Sequence, residues 1–292
     1  MPPIAPRPAY GLLRCPICRQ DLALSDRTLA CPDRHSFDIA GSGYVNLLSG
    51  RSRRPAAGGD DKSQLERRAA FLGAGHFDFI TAAILDDLAA GAVAAGAVAA
   101  GACVIEAGSG SGYHLDRVVA GLGGHGLGLD LSRDAAQWAS RRYKSLAFAV
   151  ADIWQDWPVQ SAVADLVLSL FAPKNFGEMA RVLRPDGRLV IVYPGDDHLI
   201  ELRHDFGLMG IAGGKTAEYR DTAAERFGDI RVRCIMRQLQ LAPEDVANVI
   251  LMGPNATRLA GRVPALPGRP MTVTCAVELL FAARPRAAAD TQ

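Results

Sequence analysis

Two groups of residues in this 292-residue chain have types and spacings that could do chemistry. The first is Glu106-Ala107-Gly108-Ser109-Gly110-Ser111-Gly112, entered from the apolar pair Val104-Ile105. An acid at the end of a buried strand, then glycine at every second position, makes a turn whose backbone N–H groups can approach a ligand where the next helix starts. A second acid, Asp130, closes the following run His125-Gly126-Leu127-Gly128-Leu129, where a carboxylate can accept both hydroxyl protons of a ribose. A dinucleotide fingerprint spaces its glycines G-x-G-x-x-G; here the third glycine comes one residue early.

The second group is Cys15-Pro16-Ile17-Cys18 with Cys31-Pro32-Asp33-Arg34-His35, a C-x2-C-x12-C-x3-H pattern. Two thiolates from one tight knuckle and a thiolate and imidazole from another complete a closed tetrahedral zinc site. Four protein ligands leave no open position, so the ion is structural, and it folds a segment of about forty residues that is too small to stabilise itself. Half of the six cysteines fall in this cluster, which speaks for metal rather than disulfides. The other three, Cys103, Cys234 and Cys275, lie in or beside apolar strands and read as core residues.

The glycine turn with its two acids resembles the first motif of Rossmann-like class I S-adenosylmethionine (AdoMet) methyltransferases. A sharper resemblance follows the last zinc ligand. C-P-x-C, then C-P-x-x-H-x-F-D-x-A and Gly43-Tyr44-Val45-Asn46-Leu47-Leu48, then Arg67-Arg68, Phe71-Leu72 and Gly75-His76-Phe77, are similar to the bacterial 23S ribosomal RNA guanine-N1 methyltransferases. The resemblance extends to Pro194-Gly195-Asp196-Asp197-His198-Leu199 and covers about two thirds of the chain.

This resemblance implies a zinc finger joined to an AdoMet domain, and N1 methylation of a guanine in a domain II hairpin of 23S rRNA beside the peptide exit tunnel. It places Phe77, Glu106, Gly108, Gly110, Ser111, Gly112, Asp130, Asp152 and His198 around AdoMet, with Phe77 standing where the family commonly has tyrosine. Phe171, Pro173 and Asn175, after the fourth strand, are the candidates for holding the target base, by stacking and by reading its edge; a core aromatic and a helix cap are the alternatives for Phe171 and Asn175. No residue names itself as the proton acceptor.

The elements that must position these residues follow from periodicity. Residues 63–88 carry a helical apolar face, and strands then alternate with helices as a parallel α/β sheet requires. Ser132 caps a helix, residues 146–150 and 165–171 read as strands, and a helix ending near Pro185-Asp186-Gly187 leads to a strand over 187–193. Past His198, which a loop position would leave exposed, come a helical stretch, a strand over 230–236, a helix over 243–252 and a β-rich run over 271–281 that suits an antiparallel last strand. The expected organisation is a zinc-binding RNA-recognition domain over 1–48, a basic linker over 49–62 containing Arg51, Arg53 and Arg54, an AdoMet domain over 63–284 and a tail over 285–292.

Composition narrows the setting. At 49% hydrophobic, 22% charged and net charge +1, the chain has no global nucleic-acid signature, although residues 1–70 hold eleven basic against seven acidic residues. Only four of the 32 basic residues are lysine, a GC-rich coding bias. That bias suits an actinomycete and hence the branch of the family linked to tylosin resistance. The amino terminus lacks the apolar core of a signal peptide and the Ala/Gly-rich run over 88–102 is too weakly apolar to span a bilayer, so the expected setting is the cytoplasm with no membrane partner. The oligomeric state stays open, a homodimer included. Two other readings stay open: a small-molecule AdoMet methyltransferase, and a zinc-finger nucleic-acid binder without catalysis.

Overall fold

The computed structural model describes residues 7–48, 59–91, 98–211, 213–262, 265–266 and 268–285. A three-stranded antiparallel sheet comes first, with β1 (Ala23–Ser25), β2 (Thr28–Ala30) and β3 (Ser36–Asp38). Three-residue strands supply few cross-strand pairs, and only Leu29 among them is fully buried. Such a ribbon depends on its metal.

β4 (Tyr44–Asn46) leaves the ribbon, and α1 (Lys62–Gly73) and α2 (Asp78–Ala89) follow. The alternating part comprises β5 (Cys103–Ala107), α3 (Tyr113–Leu122), β6 (His125–Asp130), α4 (Arg133–Arg142), β7 (Ala147–Val150), β8 (Ala164–Leu170), α5 (Phe176–Val182) and β9 (Leu183–Pro194). Beyond it lie α6 (Ile200–Phe206), α7 (Lys215–Ala224), β10 (Phe227–Leu241), α8 (Pro243–Leu251) and β11 (Met271–Pro285). The eight-stranded sheet has the order β10-β11-β9-β8-β5-β6-β7-β4. Strands β4 to β9 pair in parallel, and β11 runs antiparallel to both neighbours. This is the class I methyltransferase fold that the sequence predicts.

Helices cover both faces of the parallel part, so β5 is buried at all five positions and its sequence is a continuous apolar run. The chain winds one way from β5 to β6 and β7 and the other way to β8 and β9, so the crevice at the carboxyl ends of β5 and β8 is the switch point where such sheets bind ligands. The glycine turn and the residues after Leu170 both open there.

Several expectations need correction. The helical stretch 63–88 is two helices bent by 68°. Gly75, at φ 82°, sits in the break, and the apolar face continues across it, so periodicity does not register the bend. The Tyr44–Asn46 strand, grouped by sequence with the finger, pairs with Phe148–Val150 as the edge of the large sheet. The predicted linker ends as structure: Asp61 caps α1 in a capping box with Gln64, and the Asp60 carbonyl accepts from Ser132 Oγ at 2.7 Å. Residues 49–58, with Arg51, Arg53 and Arg54, lie outside the described residues, as does 286–292 of the predicted tail.

The Pro185-Asp186-Gly187 turn is absorbed into β9, where Leu183 to Arg188 spans the same ladder as Ala164 to Leu166. β10 is about twice as long as predicted, because its pairing with β11 from Phe227↔Pro285 to Leu241↔Met271 carries residues such as Arg231, Arg233 and Arg237 that have no apolar pattern. Cys234 is on the exposed side of that strand and is not a core residue, whereas Cys103 and Cys275 are buried. Among the described residues no single helix is long and apolar enough to cross a membrane.

Candidate active site and metal centre

The four metal-type residues converge. Single ligand atoms of Cys15, Cys18, Cys31 and His35 all lie within 4.8 Å of one another. The Sγ atoms of Cys18 and Cys31 are 3.5 Å apart, and His35 Nδ1 is 3.4 Å from Cys31 Sγ and 3.6 Å from Cys15 Sγ. These are the edges of a tetrahedron around an ion about 2.3 Å from sulfur and about 2.0 Å from nitrogen. Three sulfurs and one imidazole form a closed donor set for zinc.

The ribbon docks on the segment between β7 and β8. Arg14 N donates to Pro158 O at 3.0 Å, Gln160 N donates to Leu12 O at 2.9 Å, and Arg19 pairs with Asp156. That same segment begins with Asp152 and Trp154, which line the large cavity.

This cavity, of about 690 Å³, occupies the switch point. Its floor is the glycine turn. Gly108, Gly110 and Gly112 take φ values of 75°, 49° and 77°, which only glycine adopts freely. A Cβ at Gly112 would lie 3.0 Å from Phe148 Cζ, and one at Gly108 would strike the Ala172 methyl. Asp130 is held by backbone donors, Gly110 N to Oδ2 and Ser132 N to Oδ1, both at 2.8 Å. Glu106 is 2% exposed and its Oε2 has no hydrogen-bond partner. Desolvation, with Asp130 adding repulsion, pushes its carboxyl up to about 8. Ser109 Oγ is likewise buried and unpartnered. Two orphaned acceptors beside an open glycine cradle fit a ligand that brings hydroxyl and ammonium donors, as AdoMet does.

Ser111 and Asp152 are buried in the same wall, and Asp152 Oδ1 accepts from Trp154 N at 3.0 Å. Phe77, at the start of α2, stacks on Phe171 with ring centroids 5.9 Å apart, and His198 lies 5.8 Å from Phe171. His198 is buried rather than exposed, and desolvation lowers its pKa to about 4, so the imidazole is neutral at pH 7. The structure thus brings all nine predicted cofactor residues to one neighbourhood, with Gly112 behind the turn.

Of the three base-holding candidates, Phe171 and Pro173 line the cavity and Asn175 does not. Asn175 caps α5: its Oδ1 accepts from Glu178 N at 3.2 Å and its Nδ2 donates to Trp154 O and Gln155 O. Its amide is committed to backbone groups. Phe171 is 41% exposed and has φ 53°, a conformation that costs a non-glycine residue roughly 1–3 kcal/mol.

Sequence reasoning misses part of the wall. Arg68 pairs with Asp60 and donates to Met252 O at 2.7 Å beside Gly110. Trp154 is 46% exposed at the mouth. Lys174, Lys215 and Tyr219 also line the cavity, with Lys174 Nζ 5.0 Å from the centroid of the Tyr219 ring. One signal points to them: two of only four lysines in an arginine-biased chain stand here.

Comparison with known proteins agrees with this architecture. A family profile described as "RlmA, N-terminal" matches residues 13–54, and one described as "Methyltransferase domain" matches residues 104–187. A Streptomyces fradiae protein named 23S rRNA (guanine(748)-N(1))-methyltransferase is 37% identical over 263 residues, covering 88% of this chain and 91% of that protein. A Micromonospora griseorubida protein assigned by name to the 23S rRNA (guanine-N1)-methyltransferases is 39% identical over 286 residues, covering 91% of this chain and 95% of that one. With relatives of this identity along nearly its whole length, and both the zinc ribbon and the AdoMet cavity in place, the chain belongs to the 23S rRNA (guanine-N1)-methyltransferase family, AdoMet-dependent enzymes that here carry one zinc.

Proposed function

We propose that this protein methylates N1 of one guanine in the domain II hairpin of 23S rRNA beside the peptide exit tunnel, at the position named for the Streptomyces fradiae relative, guanine 748, and thereby contributes to macrolide resistance. The observation that carries the reading is the division of one cavity into two chemistries. Glu106 and Asp130 line it with the glycine turn, and Lys174 and Lys215 line it together with the exposed rings of Trp154 and Phe171. Acids suit a cationic cofactor; ammonium groups with exposed aromatics suit a nucleotide.

AdoMet supplies an electrophilic methyl carbon when bound. Gly108, Gly110 and Ser111 admit its methionine end, Gly112 lets the turn pack against Phe148 behind them, Glu106 Oε2 accepts from that end and Asp130 holds the ribose. Asp152 and its backbone neighbours face the adenine, while Phe77 and neutral His198 wall the methyl position. Phe171 and Pro173 hold the guanine, and the zinc ribbon with the Arg51, Arg53, Arg54 segment meets the flanking RNA. Positioning for in-line attack is the main contribution these residues make.

Primer extension on 23S RNA treated with enzyme and AdoMet tests this, since N1 methylation blocks Watson–Crick pairing. An AdoMet-dependent stop at the tunnel hairpin is the expected result. No stop there, with methyl label found on a small phenol instead, would make the protein a small-molecule enzyme.

A further inference from the structure

We propose that the Lys174 ammonium donates to O6 of the target guanine, selecting guanine over adenine and stabilising the charge that moves to O6 as N1 gives up its proton. This rests on the function proposed above and names the group that meets the reacting edge of the base.

Lys174 lies in the loop that leaves β8, two residues past Ala172, where the acceptor side of the cavity touches the glycine turn. Its Nζ donates to Ala172 O at 2.6 Å and stands 5.0 Å from the centroid of the Tyr219 ring. Carbonyl and ring face both favour the charged form and fix its place. Only one of three N–H donors is used, and no ion pair found among the described residues engages this group. Burial of an unbalanced cation, with Lys215 nearby, lowers its pKa to about 8, leaving it charged at neutral pH. A carbonyl oxygen entering the cavity supplies the missing acceptor.

Guanine offers that oxygen at O6, whereas adenine presents an amino donor at the same place, donor against donor. When guanine N1 is methylated, the N1–H pair stays on the ring, its proton passes to water at the cavity mouth, and the N1–methyl bond forms as the sulfur–methyl bond breaks. A fixed ammonium at O6 acts on the negative charge that this transfer develops. Lysine fits that task as a compact charge with rotatable donors, and it stands here in a chain where 28 of 32 basic residues are arginine.

The test is single-turnover methylation of a 23S RNA transcript by wild type, Lys174→Met and Lys174→Gln, with AdoMet and RNA affinities measured on the same preparations. Both variants should lose roughly 100-fold or more in rate, as when one donor is removed from an oxyanion site, with AdoMet affinity unchanged and RNA affinity lowered by much less than the rate. The deficit should shrink as pH is raised through about 8, where Lys174 loses its own charge. The other ionisable groups that line the cavity are Lys215 and Tyr219 of α7, Tyr193 of β9, Arg203 of α6, His198, Tyr113, His114, Asp60, Arg68 and the carboxyls of Glu106, Asp130 and Asp152; all are present in every sample, so their titration, that of Glu106 at about 8 included, is common to wild type and variants. Undiminished rates, a loss carried wholly by weaker binding, or a deficit that grows with pH, as for a lysine acting as base, overturns the assignment. A wild type that leaves the transcript unmethylated overturns the proposed function with it, whereas active variants beside an active wild type overturn this assignment alone.

Discussion

Gly108 and Ala172 touch across the cavity, so closely that a Cβ on the glycine would overlap the alanine methyl. Gly108 directly follows β5 and opens the cofactor turn, and Ala172 lies two residues past the end of β8 in the loop that delivers the acceptor side. Gly108→Ala should therefore act twice, by forcing φ 75° on alanine and by wedging the two loops apart. The positive φ alone should lower stability by more than about 1 kcal/mol, and AdoMet binding measured by calorimetry should fall with it. A variant with wild-type melting temperature and affinity would show that the two loops are not in register as described.

Glu106 predicts a pH dependence. Its carboxyl titrates at about 8 in the folded protein against 4.5 in the unfolded chain, so between those values the folded state binds the extra proton and this group's contribution to stability falls as pH rises. A cationic ligand demands the ionised form. AdoMet affinity should then rise with pH up to about 8, by at most about tenfold per pH unit, with release of a proton. Glu106→Gln should bind more weakly with a flatter profile. Calorimetry in buffers of different ionisation enthalpy reads the proton directly, and zero release in the wild type would remove Glu106 from the cofactor site.

Glu106 and Gly108 are legible in the amino-acid sequence because their meaning is local. An acid and alternating glycines in consecutive positions define a turn whatever surrounds it, and the same holds for the zinc knuckles. His198 and Asn175 are harder to read because distant segments make their surroundings. His198 is buried by contact with Cys275 and Phe171, and Asn175 turns its amide toward Trp154 and Gln155. Lys174, Trp154 and Tyr219 come from three segments that only the folded sheet assembles. The bend at Gly75 escapes periodicity because both helices bury the same apolar face.

The zinc ribbon offers a separable test. Cys18→Ser removes one of the four ligands and should take the protein from one zinc to little or none by metal analysis. The ribbon holds the segment around Asp156 to Gln160 through Arg14, Arg19 and Leu12, whereas Glu106, the glycine turn and Asp130 are fixed by the large sheet. Methylation of RNA should collapse while AdoMet affinity changes little. Freshly purified wild type without zinc, or equal loss of both functions, contradicts this.

Trp154 separates stacking from charge in RNA binding. Its backbone is pinned on both sides, N–H to Asp152 Oδ1 and carbonyl to Asn175 Nδ2, while the residue is 46% exposed and lines the same cavity as Phe171. A fixed, exposed aromatic ring there is a platform for a base next to the target. Trp154→Ala should weaken RNA binding by roughly 1–3 kcal/mol, the contribution of one stacked base, and leave the dependence on salt unchanged because no charge is lost. Replacing Arg51, Arg53 and Arg54 by alanine should change the salt dependence as well. Affinity at low salt drops and the slope of log affinity against log salt becomes shallower, by about 0.7–0.9 for each phosphate contact removed. Filter binding of the hairpin across a salt series distinguishes the two. A Trp154→Ala variant whose salt slope falls like that of the arginine variant would mean that the loop acts by positioning charge, and the stacking role would be wrong.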